Sequence, residues 1–167
     1  MTKMEKQQTL AGEFSLYGKG LNTGLNIKIT FKPAPENYGY KIIRVDLENK
    51  SVIDALAENV SSTERCTALC SNGIQVATVE HAMAAFYACG TDNCMIEVDG
   101  TQFSILDGSS MLYVQEIEKV GLKEQKAAGE YLTFDKSLNP IIIKLVYLYY
   151  YFLMNHSIFK LRLPLIL

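Results

Sequence analysis

Apolar and polar side chains alternate along residues 26–33, NIKITFKP, which is the pattern of a strand that buries one face. We expect this strand to pair with the segment around Phe14 and Leu16, across the glycine-rich loop GKGLNTG. A further strand is predicted at residues 40–46, YKIIRVD, after the turn-rich segment PAPENYG. The opening third of the chain is therefore predicted to be antiparallel sheet.

The pattern changes near Val76, where small and apolar residues replace the alternation. We expect a helix from Thr78, whose hydroxyl can cap it, to Cys89, with Gly90 as its stop. Residues 93–99, NCMIEVD, predict the next strand, which leads into a DG turn.

A second helix is predicted from Ser109 to Val120, with Ser109 or Ser110 as its cap and Gly121 as its stop. The order of elements along the chain is then strands, helix, strands, helix. This order predicts an α+β fold in which one layer of mostly antiparallel sheet packs against two helices.

Three stretches of different character predict the domain organisation: a domain over residues 1–128, the start of a linker or second domain at 129–139, and an apolar tail at 140–167. Eighteen of the last 28 residues are Ile, Leu, Tyr or Phe, and none is Gly, Ala, Asp or Glu. A buried strand pair or an interfacial helix are two interpretations of the tail. The loss of small and acidic residues favours a third, out-of-frame translation of a truncated gene. A membrane span is not expected, because the uninterrupted apolar run of residues 145–154 is half the length of about 20 residues that a span needs.

The charge of the chain argues against nucleic-acid binding. The formal net charge is −2 overall, but residues 1–139 hold 13 basic and 18 acidic residues. Such an acidic body is a poor partner for phosphates.

The cysteines and the N-terminus favour a cytoplasmic protein. The four cysteines, at positions 66, 70, 89 and 94, do not have the C-x2-C spacing of structural zinc sites. The first 14 residues, MTKMEKQQTLAGEF, contain no apolar core of a secretory signal. We therefore expect reduced thiols and no disulfide framework.

Glu80 and His81 are adjacent at the start of the first predicted helix, and His156 is the only other histidine. The partial positive charge of a helix N-terminus favours an ionised carboxylate and a neutral imidazole, which are the forms that a hydrolytic zinc site uses. By themselves, however, the two residues are more typical of a solvated helix start with a hydrogen-bonded histidine. A single histidine also cannot supply the three protein ligands of a catalytic zinc.

Wider motifs add to this interpretation. The segment TVEHAMAAFYACGTDN resembles the TVEH-helix-GIDN signature of the UDP-3-O-acyl-N-acetylglucosamine deacetylases, zinc enzymes of lipid A synthesis in Gram-negative bacteria. GKGLNTG, FKPAPENYGYKIIRVDL and SILDGSS are similar to three further motifs of that family, in the same order, over about residues 7–128. The sequence of the chain is most similar to the branch of this family in which the deacetylase is fused to a 3-hydroxyacyl carrier-protein dehydratase.

The resemblance implies zinc-dependent hydrolysis of the N-acetyl group of UDP-3-O-acyl-N-acetylglucosamine, with His81 as a zinc ligand and Glu80 as the general base. It implies that Asp107 supports the site, although a helix cap is an equally good interpretation of this residue. Thr67 and Leu69 would lie on the rim of the active site. The implied fold is the first half of a two-domain β-α-α-β sandwich.

Two departures from the family pattern affect the function. Asn22 stands where the family's GLHTG motif has histidine, and asparagine cannot titrate near neutral pH. No residue after Gly129 matches the second domain, which supplies the other zinc ligands in the family. We therefore expect a truncated N-terminal fragment that is inactive alone; the alternatives are a non-catalytic remnant or binding module that retains the fold and, more distantly, a peripheral membrane protein.

Overall fold

The computed structural model describes residues 5–129, 131–133 and 160–162, which fall into two units. The first unit, residues 5–129, contains two α-helices, α1 (Glu80–Cys89) and α2 (Met111–Val120), and a short 3-10 helix at Ala57–Asn59. Its strands are β1 (Lys6–Leu10), β2 (Phe14–Lys19), β3 (Asn26–Pro33), β4 (Tyr40–Arg44), β5 (Val52–Asp54), β6 (Val60–Ser62), β7 (Ala68–Ser71), β8 (Ile74–Ala77), β9 (Cys94–Val98) and β10 (Leu122–Ala128).

The strands of this unit form three sheets. The largest has the order β2-β3-β9-β4-β5, a smaller one has the order β6-β7-β8, and β1 pairs with β10. All of these pairs are antiparallel except β4 with β9. The predicted α+β class and the predicted β2–β3 hairpin, in which Phe14 faces Phe31, are both confirmed.

Aromatic rings hold the helices against the large sheet. Phe31, fully buried on β3, has its ring centroid 4.9 Å from that of Phe14 and 5.2 Å from that of Phe86 on α1. Phe103, in the segment between β9 and α2, and Tyr113, on α2, meet the same ring edge-on at 6.4 and 5.8 Å. Such ring pairs stabilise a fold beyond the burial of their area. They fix the start of α2 relative to α1.

The predicted capping of α1 by Thr78 is wrong. The residue at the N-cap position is Val79, and no side chain caps the helix. Thr78 is buried in a left-handed conformation with φ of 60°, and its hydroxyl has no hydrogen-bond partner among the described residues. The residue turns the chain from β8 into α1, which buries the side chain that would otherwise cap. The predicted stop at Gly90 is confirmed.

For α2, both serines of the predicted cap lie at the helix start. Ser110 occupies the N-cap position, but its side chain makes no capping bond. The hydroxyl of Ser109 accepts a hydrogen bond from the backbone N–H of Met111 at 3.1 Å instead. The helix ends before Gly121, as predicted.

The second unit contains β11 (Tyr131–Thr133), which pairs antiparallel with β12 (Lys160–Arg162). Strand β12 falls within the predicted tail, and the rest of residues 140–167 lies outside the described residues, as does His156. The domain boundaries and the interpretation of the tail therefore stay predictions. Within the described ranges, no helix has the length and apolar character to cross a membrane.

Candidate functional site

The loop between β8 and α1 sets the position of Glu80 and His81. The last residue of β8, Ala77, donates its N–H to the carbonyl of Thr101 at 3.0 Å and accepts a bond from the N–H of Phe103 at 2.8 Å. Three residues later the helix begins, with Glu80 and His81 both half-buried. Glu80 and His81 thus follow closely after Ala77, whose backbone N–H and C=O are both hydrogen-bonded to the neighbouring segment.

A hydrogen bond fixes the carboxylate of Glu80. One of its oxygens, Oε2, accepts the backbone N–H of Thr67 at 2.9 Å. The carbonyl of Thr67 in turn accepts the N–H of Val79 at 3.4 Å. Thr67, which was predicted to lie on the rim of the site, therefore contacts the predicted base through its backbone.

Asp107 lies on the loop that precedes α2, after Leu106 in a left-handed conformation with φ of 51°. Its Oδ1 accepts the N–H and the hydroxyl of Ser109 at 3.0 and 2.9 Å. These two bonds, the backbone one first, hold the pKa of Asp107 below its usual range, and the charge of His81 contributes in the same direction. Asp107 stabilises this turn and is exposed. It is not the N-cap of α2, because Ser110 occupies that position.

Sequence analysis missed Tyr113, whose pKa responds to the charges of Glu80 and Asp107. It is 1% exposed on α2, and its hydroxyl donates to the carbonyl of Ser104 at 3.3 Å. Burial raises the pKa of Tyr113 well above its usual range, and the negative charges of Glu80 and Asp107 raise it further. The phenol is therefore neutral and remains a hydrogen-bond donor. Its spacing of four from Ile117 on the buried face of α2 indicated core packing and gave no sign of this role.

Asn22 lies in an exposed turn between β2 and β3 and has no described contact with Glu80 or His81. Its backbone N–H donates to Oε1 of Gln102 at 3.3 Å, and Nε2 of Gln102 donates to the hydroxyl of Thr23 at 2.6 Å. Gln102 also forms a parallel bridge with Ala77. The structure therefore connects Asn22 to the strand that leads into the site, without placing its side chain there.

The site residues alone do not make a complete zinc centre. Within the described part of the chain, no three His, Cys, Asp or Glu side chains are grouped as metal ligands would be. Catalytic zinc sites use about three protein ligands. The role of His81 as a zinc ligand therefore stays a prediction.

Sequence comparisons point to one family. The family profile described as LpxC, UDP-3-O-acyl N-acetylglycosamine deacetylase, matches residues 7–143. A bifunctional enzyme LpxC/FabZ of Bacteroides thetaiotaomicron is 59% identical over 128 residues, which are 77% of this chain and 28% of that protein. A UDP-3-O-acyl-N-acetylglucosamine deacetylase of Shewanella halifaxensis is 39% identical over 133 residues, 79% of this chain and 44% of that protein. The chain thus spans less than half the length of these relatives.

Proposed function

The chain belongs to the UDP-3-O-acyl N-acetylglycosamine deacetylase family, and on that premise we propose that it forms the N-terminal part of an enzyme that removes the N-acetyl group from UDP-3-O-acyl-N-acetylglucosamine. The relatives named for this activity extend well beyond the matched region. We propose that the 167-residue chain alone does not carry out the reaction, because the described residues lack a full set of metal ligands. We further propose a cytoplasmic location, which the four free cysteines support.

The observation that carries the proposal is the hydrogen bond from the N–H of Thr67 to Glu80 at 2.9 Å. It holds Oε2, while Oε1 has no hydrogen bond to any described residue. A carboxylate held by one oxygen and open at the other is suited to accept a proton from a water molecule in a fixed direction. We assign Glu80 the role of general base on this geometry.

We assign His81 the role of one zinc ligand, next to the base on the first turn of α1. Zinc, when bound, would lower the pKa of a water molecule and polarise the amide carbonyl. An electrostatic contribution of His81 to the lowered pKa of Asp107 supports a common neighbourhood for the two residues. A carboxylate near a ligating imidazole favours its orientation for metal binding, so we assign Asp107 a supporting role.

A second candidate function, a binding module without catalysis, is favoured by Asn22. The family's histidine at this position is replaced by a residue that is exposed and bonded only through its backbone. An amide can bind a ligand by hydrogen bonds but cannot exchange a proton near neutral pH.

The test is a chimera in which residues 1–128 precede the remainder of the Bacteroides thetaiotaomicron relative. We expect it to hold zinc and to release acetate from the sugar nucleotide. Glu80→Gln should retain zinc and lower kcat by about 10²–10⁴-fold, the contribution of a general base. His81→Ala should lose both zinc and activity. Lys119→Ala, at an exposed position of α2, is the control that should change neither.

Activity that survives Glu80→Gln would refute the assigned base. Zinc content that survives His81→Ala would refute the assigned ligand. A chimera that folds and binds zinc but releases acetate only after Asn22→His would favour the binding module.

A further inference from the structure

Strand β10 is the element by which the chain leaves the first unit, at Gly129. Along its described length, Leu122–Ala128, every residue is half-buried or exposed. Apolar packing therefore contributes little to fixing the path of this strand, and few buried contacts are typical of the more mobile elements of a fold. The hydrogen bonds of β10 decide how firmly it is held.

A bulge interrupts the pairing of β10 with β1. Between two paired positions of these strands, β1 has one residue, Gln7, whereas β10 has three, residues 125–127. A bulge bends the strand that carries it and changes the direction of its side chains. The amide of Gln125, within the bulge, bonds to the body of the first unit.

Both polar atoms of the Gln125 amide have partners. Its Oε1 accepts a hydrogen bond from Nδ2 of Asn93 at 2.7 Å, and its Nε2 donates to the carbonyl of Ala34 at 3.0 Å. Asn93, 1% exposed, also donates to Oε1 of Gln7 at 2.9 Å, and Nε2 of Gln7 donates to the carbonyl of Ala128 at 3.1 Å. A polar network in which each member is paired is rigid and specifies one arrangement. These bonds thus hold β10 on both sides of its bulge.

The same network joins β10 to the C-terminal end of α1. Asn93 follows Gly90, the stop of the helix, by three residues. Its neighbour Asp92 donates its N–H to the carbonyl of Gln8 on β1 at 2.7 Å and accepts the N–H of Gln8 at 2.6 Å. Helix α1 has 10 residues, a length of about 15 Å, and carries the candidate site on its first turn. The strand by which the chain leaves and the candidate site are therefore attached to opposite ends of one helix.

We propose that Gln125 is a positioning residue, which fixes the direction in which the chain leaves the first unit relative to α1. This inference rests on the proposed function, in which residues beyond the described ones complete the reaction site at Glu80 and His81. A fixed direction at the end of β10 restricts where those residues can lie. Such restriction matters for the rate, because a misplacement of about 1 Å can lower it about 10²-fold.

The first test is ¹⁵N relaxation of the 167-residue chain. We expect order parameters of about 0.85 for the amides of residues 125–128, as in rigid backbone. Gln125→Met keeps the length of the side chain but neither of its hydrogen bonds, so these order parameters should fall below about 0.6. Lys123→Met, at an exposed position of the same strand, is the matched control and should leave them unchanged.

A second variant tests the same strand without touching a half-buried side chain. The exposed carboxylate of Glu36 accepts the backbone N–H of Lys126 at 2.6 Å. Glu36→Ala should therefore lower the order parameters of residues 126–128, by less than Gln125→Met does, because the amide bonds of Gln125 remain.

The second test is the chimera with Gln125→Met. We expect kcat to fall about 10–10²-fold, through misplacement of the groups that complete the site. KM should change by less than about twofold, since Gln125 is assigned no contact with substrate. Urea denaturation checks that this variant of the chimera is folded, and Lys123→Met should change neither kinetic constant.

Three results would overturn the inference: order parameters that Gln125→Met leaves unchanged, an equal fall with Lys123→Met, or a loosened strand with the kcat of the unsubstituted chimera. A folded chimera that releases no acetate would instead count against the proposed function. The order parameters of the 167-residue chain would still decide whether Gln125 holds the strand, so the two proposals fail separately.

Discussion

The two ends of α1 differ in how their polar groups are used. At the C-terminal end, Gly90 adopts a left-handed conformation with φ of 75°. Its N–H donates hydrogen bonds to the carbonyls of Phe86 and Tyr87. At the N-terminal end, Thr78 adopts a left-handed conformation with φ of 60°, and its buried hydroxyl is unpaired among the described residues. Glycine adopts the left-handed conformation at the C-terminal end without steric cost. Threonine, which is β-branched, is strained in the same conformation at the N-terminal end.

The C-terminal end continues into a set of paired amides. Asn93, 1% exposed, donates to Oε1 of Gln7 at 2.9 Å and to Oε1 of Gln125 at 2.7 Å, and its own oxygen accepts the N–H of Gly39 at 2.8 Å. Gln7 also exchanges bonds with Asn37. We name Gln7, Asn37, Asn93 and Gln125 the amide cluster. It joins β1, β10 and the loop before β4 to the strand that follows α1.

Of the six non-glycine residues with positive φ in the described part of the chain, three lie next to candidate site residues and one, Asn37, belongs to the amide cluster. Arg65, Thr78 and Leu106 have φ values of 64°, 60° and 51°, and they precede Thr67, Glu80 and Asp107 by one or two positions. A non-glycine residue in this conformation costs about 1–2 kcal/mol. Strain of this kind persists only where the surrounding fold enforces it, and it concentrates at functional sites. The hydrogen bonds of the amide cluster stabilise the fold. The strained residues near the candidate site are held in place by the surrounding fold.

Thiol labelling should show the largest difference between the ends. Cys94, next to the amide cluster, is fully buried, and burial raises the pKa of its thiol well above the usual range. Cys66, beside Thr67, is partly exposed. We expect iodoacetamide to modify Cys66 at least about 10³-fold faster than Cys94, because Cys94 must wait for global opening. Mass spectrometry of the native chain measures both rates, and urea-unfolded chain is the control. Similar native rates would contradict the difference.

Removal of the central amide should have the next largest effect. Asn93→Ala breaks three hydrogen bonds, one of them to the buried amide of Gln7, so we expect a loss of about 3 kcal/mol in the free energy of unfolding. Urea denaturation measures it. Asn49→Ala, at an exposed asparagine, should change stability by less than about 0.5 kcal/mol. Equal effects of the two substitutions would show that the amide cluster is not a stabilising unit.

Gly90→Ala tests the stop of α1. An alanine forced to a φ of 75° should destabilise the chain by about 1–2 kcal/mol. Thermal unfolding measures it. Ala84→Gly, on the exposed face of the same helix, should cost about 0.5–1 kcal/mol through backbone entropy. If Gly90→Ala is neutral, the left-handed stop does not limit stability.

Thr78→Gly should give the smallest change, with the opposite sign. Glycine removes the strain of the left-handed conformation and the unpaired hydroxyl, which outweighs its backbone entropy and the lost methyl contact. We expect stabilisation by about 1 kcal/mol in urea denaturation. Thr78→Ala removes the hydroxyl but keeps the strain, so it should be less stable than Thr78→Gly. The reverse order would show that the site end is not strained at this residue.

Local patterns predicted much of the fold. The alternation in NIKITFKP gave β3, and Gly90 and Gly121 gave the helix ends, because these signals depend on neighbours in sequence. The capping role of Thr78 was not predictable, since the direction of its side chain depends on the turn that links β8 to α1. The contact of Thr67 with Glu80 was equally hidden, because it is made by a backbone group that every residue type shares.

The sequence by itself determined the family, the α+β class and the pair Glu80 and His81 at a helix start, because motif wording and periodicity are properties of the chain order. Only the tertiary structure decided which groups interact: the N–H of Thr67 with Glu80, Tyr113 with the charges of two carboxylates, and Asn93 within the amide cluster. The hydrogen bonds of Glu80 and of Asn93 with these partners join residues that are 13 to 86 positions apart. Pairs so distant in sequence are set by how sheets and helices pack, which no local pattern encodes.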